Sequence, residues 1–295
     1  MKEIRKVGVL GGGLMGSGIA QVSAIAGFDT VVREISDAII EKSKSGIDKT
    51  LAKGIEKGKV TTGQRDAALS KLSFTTDLAK LADCDIVIEA VVEDLEMKNA
   101  MWKDLNEVCG TDTIFASNTS SLTIAAMAAA CGRPEKMLGL HFFNPVPLMK
   151  LVEVVRTITT SDDTAETAFQ FAKKLGKEPV KAKDNSGFIV NLLLIPYMLD
   201  AINALESNVA SVEDIDKAMQ LGAGHPMGPF TLLDFVGLDT TYKIAEIMFA
   251  EYREKRYAPP PLLKRMVIAG MYGKKSGKGF YDYSQNPPRV NALGL

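Results

Sequence analysis

The feature that most constrains this chain is a glycine-rich turn near its start, in the sequence KVGVLGGGLMGSGIA. The apolar run 7–10 leads directly into Gly11, Gly13 and Gly16, and a helix-like stretch follows. Gly11 permits a tight turn, Gly13 lets backbone N–H groups approach a phosphate, and Gly16 lets the helix pack closely on the strand. A helix N-terminus also offers unpaired N–H donors and a partial positive charge. The pattern therefore predicts a binding site for a dinucleotide pyrophosphate, with a purely structural turn as the alternative.

An acidic residue, Glu34, ends the next predicted strand. It lies roughly 20 residues beyond the glycines, which is the spacing typical of a ligand for the ribose 2′-OH. A carboxylate at this place favours NAD, because it disfavours the 2′-phosphate of NADP. The neighbouring Arg33 would accept that phosphate instead. The sequence thus favours NAD and leaves NADP open.

Length and charge exclude several classes of protein. The chain has 295 residues, enough for two domains of roughly 150 residues each. Its formal net charge of -1 leaves no basic stripe for a nucleic acid. The start is charged and no apolar stretch reaches the roughly 20 residues of a membrane span, so we expect no signal peptide and no membrane. Cys84, Cys109 and Cys131 are scattered, which predicts a reducing, cytoplasmic location with neither a disulfide framework nor a metal site.

Strand-like and helix-like patterns alternate through the first half of the chain. The predicted strands are 7–10, 30–33, 86–90, 114–117, 137–141 and 151–155. The predicted helices are 14–26, 36–57, 95–108 and 121–130, with a helical hairpin over 36–69. This alternation predicts an α/β fold: a Rossmann-type, doubly wound, mostly parallel sheet.

The pattern changes near residue 184, after which long apolar helical segments follow and no strand pattern returns. We therefore predict a dinucleotide-binding domain over 1–185 and an all-α C-terminal domain over 186–295. A helical domain this rich in apolar residues favours burial against a second copy, so we expect a homodimer through it.

Two groups have the chemistry for proton transfer. His141 ends a predicted strand, and the carboxyl ends of strands are where open α/β sheets bind ligands. Glu153 lies twelve residues further on, in the next predicted strand. A carboxylate bonded to one ring nitrogen would leave the other free to exchange a proton with a substrate. A structural histidine and an unrelated glutamate are the alternative.

Other polar residues fit a binding cleft less specifically. Ser117 ends a predicted strand and would bond a substrate oxygen, or belong to a helix-capping turn. Asn191 would polarise a carbonyl, or be an ordinary polar residue early in a helix. Lys49, Lys53 and Lys57 recur every fourth residue on one helical face. From spacing alone that face is solvated rather than a polyanion site.

Several segments together resemble the 3-hydroxyacyl-CoA dehydrogenase family. They are KVGVLGGGLMGSGIAQ, DIVIEAVVED, SNTSSL, HFFNPVPLMKLVEVV, SGFIVN, SVEDIDKAMQLGAGHPMGP and GKKSGKGFYDY. The resemblance extends to about Tyr283, and short bacterial members of the family are the most similar. It implies reversible hydride transfer between NAD(H) and a short-chain 3-hydroxyacyl-CoA.

The resemblance also implies roles for individual residues. His141 would be the acid/base and Glu153 its partner, while Ser117 and Asn191 would hold the substrate oxygen. The cofactor would contact Gly11, Gly13, Leu14, Met15, Gly16, Glu34, Glu93, Lys98 and Asn144. The acyl-CoA would contact Ser120, Lys53 and Lys57 in addition to Ser117 and Asn191.

The sequence departs from the family pattern at two positions: Ser186 replaces a proline and Leu192 replaces an arginine. Losing the proline should loosen the domain joint slightly, because it increases the freedom of the unfolded chain. Leu192 removes a charge near the same joint. Two other functions remain. Dehydrogenases of free 3-hydroxy acids usually employ a lysine as acid/base, and a non-catalytic relative would not need His141 and its partners.

Overall fold

The computed structural model describes residues 2–293. The chain divides into two compact units, Met1–Phe188 and Ile189–Leu295. Each unit has its own hydrophobic core, and each is described separately below.

The first unit is built on one eight-stranded sheet in the order β3-β2-β1-β4-β5-β6-β7-β8. Neighbouring strands are parallel except for the antiparallel pair β6 and β7. The strands are β1 Lys6–Leu10, β2 Asp29–Arg33, β3 Leu72–Thr75, β4 Ile86–Glu89, β5 Ile114–Ser117, β6 Met137–Phe142, β7 Leu151–Arg156 and β8 Glu178–Lys183. The predicted α/β fold with a mostly parallel sheet is confirmed.

Within residues 2–188, six α-helices accompany this sheet. They are α1 Leu14–Ile25, α2 Asp37–Glu56, α3 Thr62–Ser70, α4 Leu95–Val108, α5 Ile124–Ala130 and α6 Asp162–Lys174. Strands β4 and β5 are buried along their whole length, as expected for strands covered on both faces. Each βα connection turns at the carboxyl end of its strand, so the loops after β1, β4 and β5 share one edge of the sheet.

The order of the strands places a topological switch next to β1. The chain runs from β1 outward to β2 and β3, and then returns to β4 on the other side of β1. Ligands of open α/β sheets bind outside the carboxyl ends of the strands at such a point. The glycine turn and the end of β4 therefore meet at the predicted binding edge.

Strands β3 and β8 were not predicted from the sequence. The four residues of β3 are nowhere fully buried, so they lack the apolar run that marks the central strands. In β8 only Ala182 is buried, and charged residues alternate with it. Both are the outermost strands of the sheet, where a polar composition limits edge-to-edge association.

The second unit is mostly helical. Its helices are α7 Val190–Glu206, α8 Val212–Ala223, α9 Pro229–Val236, α10 Leu238–Tyr252 and α11 Pro261–Ile268. The predicted helical C-terminal domain is confirmed, but the expectation that no strand follows is wrong. Two residues of β9, Tyr281–Asp282, pair antiparallel with β10, Arg289–Val290. Within residues 2–293, no helix is both long and apolar enough to cross a membrane.

Candidate active site

The glycine turn joins β1 to the N-terminus of α1. Gly11 has φ +88°, in the region that glycine adopts without a steric penalty. A Cβ on Gly16 would lie 1.7 Å from the carbonyl oxygen of Gly11, so helix and turn are in direct contact there. At Gly13 a Cβ would meet no heavy atom within 4 Å. The turn is closed on its protein side and open where a pyrophosphate would approach the helix.

Glu34 follows β2 and lies against this turn. Its carboxylate accepts hydrogen bonds from the backbone N–H groups of Gly12 and Ile35. The carbonyl of Gly12 in turn accepts from the hydroxyls of Ser17 and Ser43, both at 2.6 Å. These bonds fix the position of the carboxylate beside the glycines. Gly12 was not among the predicted site residues; the GGG run contains it, but its contact with Ser43 depends on the placement of α2.

A second cluster lies at the ends of β4 and β5. Glu89 pairs in register with Ser117 and has no exposed surface. Its Oε2 accepts the hydroxyl of Ser117 at 2.6 Å, and its Oε1 accepts Lys98 Nζ at 2.6 Å. Glu89 was missed from the sequence because IVIEA reads as a buried strand, and only the register of β4 with β5 brings the carboxylate to the serine.

Glu93 is the second carboxylate bonded to this lysine, at 3.1 Å from Lys98 Nζ. It also accepts hydrogen bonds from the hydroxyls of Thr119 and Ser121. Burial alone would raise the pKa of Glu93, but the charge of Lys98 and these hydrogen bonds hold it below its usual value. Ser120, in the same turn, is half-buried. The structure thus brings Ser117, Glu93 and Lys98 together around Glu89, which the sequence analysis did not single out.

His141 and Glu153 face each other across the antiparallel strands β6 and β7. His141 Nδ1 lies 2.6 Å from Glu153 Oε2, and Glu153 has no exposed surface. The rings of Phe143 and Phe188 have centroids 4.4 Å and 5.6 Å from that of the imidazole. With Nδ1 bonded to the carboxylate, Nε2 is the ring nitrogen left for a proton exchanged with a ligand.

The remaining predicted residues are more dispersed. Leu14 is largely exposed at the start of α1 and Met15 is half-buried, while Asn144 is exposed beyond β6. Lys53 and Lys57 are exposed at the end of α2. Asn191 belongs to α7 of the second unit, so its contact with a substrate near His141 stays a prediction.

The two departures from the family pattern have defined surroundings. Ser186 is buried and its hydroxyl donates to the carbonyl of Ser121 at 2.7 Å, so it ties its segment to the turn after β5. Leu192 packs against the core of the helical unit. Neither replaces a group of the two polar clusters or of the glycine turn.

These features fit a nicotinamide dinucleotide: an open glycine turn at a helix N-terminus, a carboxylate beside it, and a histidine–glutamate pair on the same sheet. Among residues 2–293, no three His, Cys, Asp or Glu side chains gather as a metal site. Fold and site together define an oxidoreductase that binds a dinucleotide.

Comparison with known proteins specifies the family. The model of the 3-hydroxyacyl-CoA dehydrogenase NAD binding domain matches residues 6–185, and that of the C-terminal domain matches residues 187–283. The chain belongs to the 3-hydroxyacyl-CoA dehydrogenase family, and NAD is its cofactor.

Individual relatives are similar over nearly their whole length. A 3-hydroxybutyryl-CoA dehydrogenase of Mycobacterium tuberculosis is 52% identical over 95% of this chain and 99% of its own. Human mitochondrial hydroxyacyl-coenzyme A dehydrogenase is 48% identical, over 95% of this chain and 91% of its own. The crystal structure of (S)-3-hydroxybutyryl-CoA dehydrogenase from Ralstonia eutropha superposes with a TM-score of 0.92 at 41% identity, covering 96% of this chain and 100% of that one.

Proposed function

We propose that this protein transfers a hydride reversibly between NAD(H) and a short-chain 3-hydroxyacyl-CoA, with His141 as the acid/base. The observation that carries the proposal is the 2.6 Å contact between His141 Nδ1 and the buried carboxylate of Glu153. Similarity to relatives named 3-hydroxybutyryl-CoA dehydrogenase supports acetoacetyl-CoA and (S)-3-hydroxybutyryl-CoA as the substrate pair.

The residues of the chain have separable tasks in this reaction. Bound NAD supplies the hydride acceptor, and the protein supplies orientation and electrostatics. In oxidation, His141 Nε2 takes the proton of the substrate hydroxyl. In reduction, the imidazolium returns that proton to the developing alkoxide. Glu153 holds the imidazole in one orientation and stabilises its charged form, in the manner of a carboxylate that supports a catalytic histidine.

The exposed lysines of α2 suit the phosphates of CoA. Lys49, Lys53 and Lys57 are all exposed, and none takes part in the ion pairs found among residues 2–293. A row of cations with no carboxylate partner is available to a polyanionic ligand. We assign Lys53 and Lys57 to the CoA moiety on this basis and on the family resemblance.

Exposed apolar side chains on the helical unit support a homodimer. Leu193, Leu221 and Phe235 expose 65%, 78% and 51% of their surface, and exposed apolar surface is a mark of protein–protein contact sites. We infer that a second copy covers part of this surface. Sedimentation of the purified protein tests the dimer, and a single monomeric species at micromolar concentration would refute it.

A substrate panel tests the activity. The purified protein is mixed with acetoacetyl-CoA or free acetoacetate, each with NADH or NADPH, and oxidation of the cofactor is followed by absorbance. The proposal predicts rapid oxidation of NADH with the CoA ester, and at least tenfold less with the free acid or with NADPH. Preference for the free acid would favour a 3-hydroxy acid dehydrogenase. No oxidation of NADH by protein that binds it would favour a non-catalytic relative.

Charge reversal tests the lysines separately. The double variant Lys53→Glu, Lys57→Glu should raise KM for acetoacetyl-CoA about tenfold, a loss expected when charge-assisted contacts to phosphate are removed. The double variant Lys103→Glu, Lys174→Glu is the matched control, since both are exposed helical lysines and the net charge changes by the same amount. An equal rise of KM in the control would mean that overall charge, rather than the row on α2, attracts the substrate.

A further inference from the structure

We propose that Lys177 is a positioning residue for cofactor binding, because its ammonium group holds the loop that presents Asn144 to the dinucleotide. This loop, the β6–β7 loop, comprises residues 143–150 and joins the strands that carry His141 and Glu153. The inference rests on the proposed function, since the contact between Asn144 and the cofactor is one that the family resemblance implies. Neither the sequence patterns nor that resemblance singled out Lys177.

Lys177 is a buried cation with no anion beside it. It exposes 9% of its surface, and it belongs to none of the ion pairs found among residues 2–293. Burial lowers the pKa of its ammonium group, and no opposite charge in the described part of the chain acts against that effect. A lysine is almost never buried unless it is paired, because a charge removed from water needs compensating hydrogen bonds. The partners of Lys177 therefore indicate its task.

Both partners of the ammonium group lie in the β6–β7 loop. Lys177 Nζ donates to the carbonyl of Val146 and, at 2.9 Å, to the carbonyl of Met149. These two residues belong to one turn, in which the carbonyl of Pro145 accepts the N–H groups of Leu148 and Met149. An ammonium group has three donors on a flexible stem, so a single lysine bonds this turn at two points.

The backbone of Lys177 is itself fixed at the corner between α6 and β8. Its N–H donates to the carbonyl of Ala172 in α6 at 3.2 Å. The N–H of Glu178, the first residue of β8, donates to the carbonyl of Lys150 at 2.9 Å. The β6–β7 loop is thus tied to regular secondary structure both at its end and, through the ammonium group, in its middle.

On its other side the β6–β7 loop packs against α1. Val146 exposes 2% of its surface, and a Cβ on Gly18 would lie 2.8 Å from Val146 Cβ. Gly18 lies four residues beyond Leu14, the first residue of α1, which corresponds to about 6 Å along a helix. The loop is therefore close to the end of α1 at which a pyrophosphate would bind.

This arrangement fixes the place of Asn144. Asn144 is exposed, and it lies between Phe143, whose ring centroid is 4.4 Å from that of the His141 imidazole, and the turn held by Lys177. His141 and Glu153 depend less on the loop, because the register of β6 with β7 pairs them. Loss of the ammonium group should therefore weaken cofactor binding and leave the chemical step nearly unchanged.

The variant Lys177→Met tests this difference, because it keeps an unbranched side chain and removes the donors. We expect Kd for NADH to rise about fivefold, the change that corresponds to the loss of about one hydrogen bond. We expect kcat at saturating NADH to stay within twofold of wild type. Fluorescence titration and steady-state kinetics measure the two quantities. Lys173→Met is the matched control, since Lys173 is an exposed lysine of α6, and it should change neither.

Two further measurements separate positioning from a general loss of stability. Amide hydrogen exchange should become faster over residues 143–150 in Lys177→Met and stay unchanged in β6 and β7. In an Asn144→Ala background, Lys177→Met should no longer weaken NADH, since it acts through that side chain. If Lys177→Met does not fold, Gly18→Ala replaces it. The added methyl group displaces Val146 from the α1 side and should raise Kd for NADH with kcat nearly unchanged.

Three results would overturn the inference. They are an unchanged Kd for NADH in Lys177→Met, a loss of kcat as large as the rise of Kd, and an undiminished effect of Lys177→Met in the Asn144→Ala background. None of them bears on the proposed reaction, which fails instead if the wild-type protein binds NADH but does not reduce acetoacetyl-CoA.

Discussion

Buried carboxylates occur in both units of this protein, and they do different things. In the first unit, Glu153 and Glu89 bond side chains that have proton chemistry of their own: an imidazole and a serine hydroxyl. In the helical unit, Asp216 and Asp234 bond mainly backbone N–H groups and tyrosine hydroxyls. All four expose 4% or less of their surface.

The helical unit uses its two acids to close its own chain. Asp216 accepts the N–H groups of Phe230 and Thr231 at the start of α9, as an anion does at a helix N-terminus. Asp234 accepts the N–H groups of Phe280, just before β9, and of Tyr281, its first residue. These bonds hold the GKGFYDY segment, where a Cβ on Gly279 would lie 1.9 Å from Asp234 Oδ1.

The comparison teaches that burial of an acid does not by itself indicate catalysis. A carboxylate that bonds backbone N–H groups satisfies donors that would otherwise be unpaired, and its loss is a loss of stability. A carboxylate that bonds a titratable or hydroxyl side chain decides which proton that side chain presents to a ligand. Variants of the two kinds should therefore separate activity from stability.

Glu153→Gln should give the largest effect on activity. The glutamine keeps the volume of the side chain but not the charge that stabilises an imidazolium at His141. We expect kcat to fall about 10²-fold or more, within the range of general acid–base contributions, with Kd for NADH changed less than about threefold. Steady-state kinetics and fluorescence titration of NADH measure both. A kcat within threefold of wild type would mean that Glu153 does not support catalysis, and the proposed difference from the acids of the helical unit would be lost.

Asp234→Asn should have the opposite profile: it should lower stability and leave activity nearly unchanged. It also removes one buried carboxylate charge, but the amide N–H₂ would oppose the donors at Tyr281 and Tyr283 that now bond Oδ2. We expect a loss of about 2 kcal/mol in the free energy of unfolding and a kcat within twofold of wild type for the folded fraction. A catalytic loss as large as that of Glu153→Gln would erase the distinction between the units.

The pH dependence of stability sharpens the role of Asp234. Burial raises the pKa of its carboxyl to about 6, against the lowering effect of its hydrogen bonds. Because the folded state binds this proton more tightly than the unfolded state, the stabilisation is complete below the unfolded pKa of 3.8 and is lost as pH rises through 6.

Urea denaturation of wild type and Asp234→Asn at pH 5 and pH 8 measures how much protonation of Asp234 contributes to the free energy of unfolding. The stability of wild type relative to the variant should fall by about 1.4 kcal/mol between the two pH values. Parallel pH dependence of the two proteins would contradict the shifted pKa.

The smallest expected effect concerns the three cysteines, which are all buried. Burial raises the pKa of Cys84 to about 12 and that of Cys109 to about 11. Since only the thiolate reacts, iodoacetamide at pH 8 should leave the native protein unlabelled and label all three thiols in denaturing urea. Mass spectrometry counts the adducts, and rapid labelling of native Cys84 would contradict its burial.

Local patterns predicted much of this molecule. The sequence predicts three of its features directly: the glycine turn, Glu34 and the strand carrying His141. It can do so because a strand, a turn and a helix start are each encoded within a few residues. The spacing of twelve residues allowed Glu153 to return to His141, and the structure places the two side chains in contact, but an unrelated glutamate was an equal alternative from the sequence.

Contacts that depend on strand register or on elements distant in the chain could not be predicted from the sequence. Glu89 meets Ser117 because β4 and β5 align at those two residues, and the sequences of the strands do not specify that alignment. Asp234 meets Phe280 across 46 positions of chain. The edge strands β3 and β8 were missed because their polar composition resembles that of loops.

Single-turnover reduction of acetoacetyl-CoA by NADH bound to His141→Gln tests the central claim most directly, because it isolates the chemical step from cofactor binding. The account predicts that the rate falls about 10³-fold relative to wild type, while Kd for NADH stays within about threefold. A rate near that of wild type would contradict the assignment of His141 as the group that moves the proton.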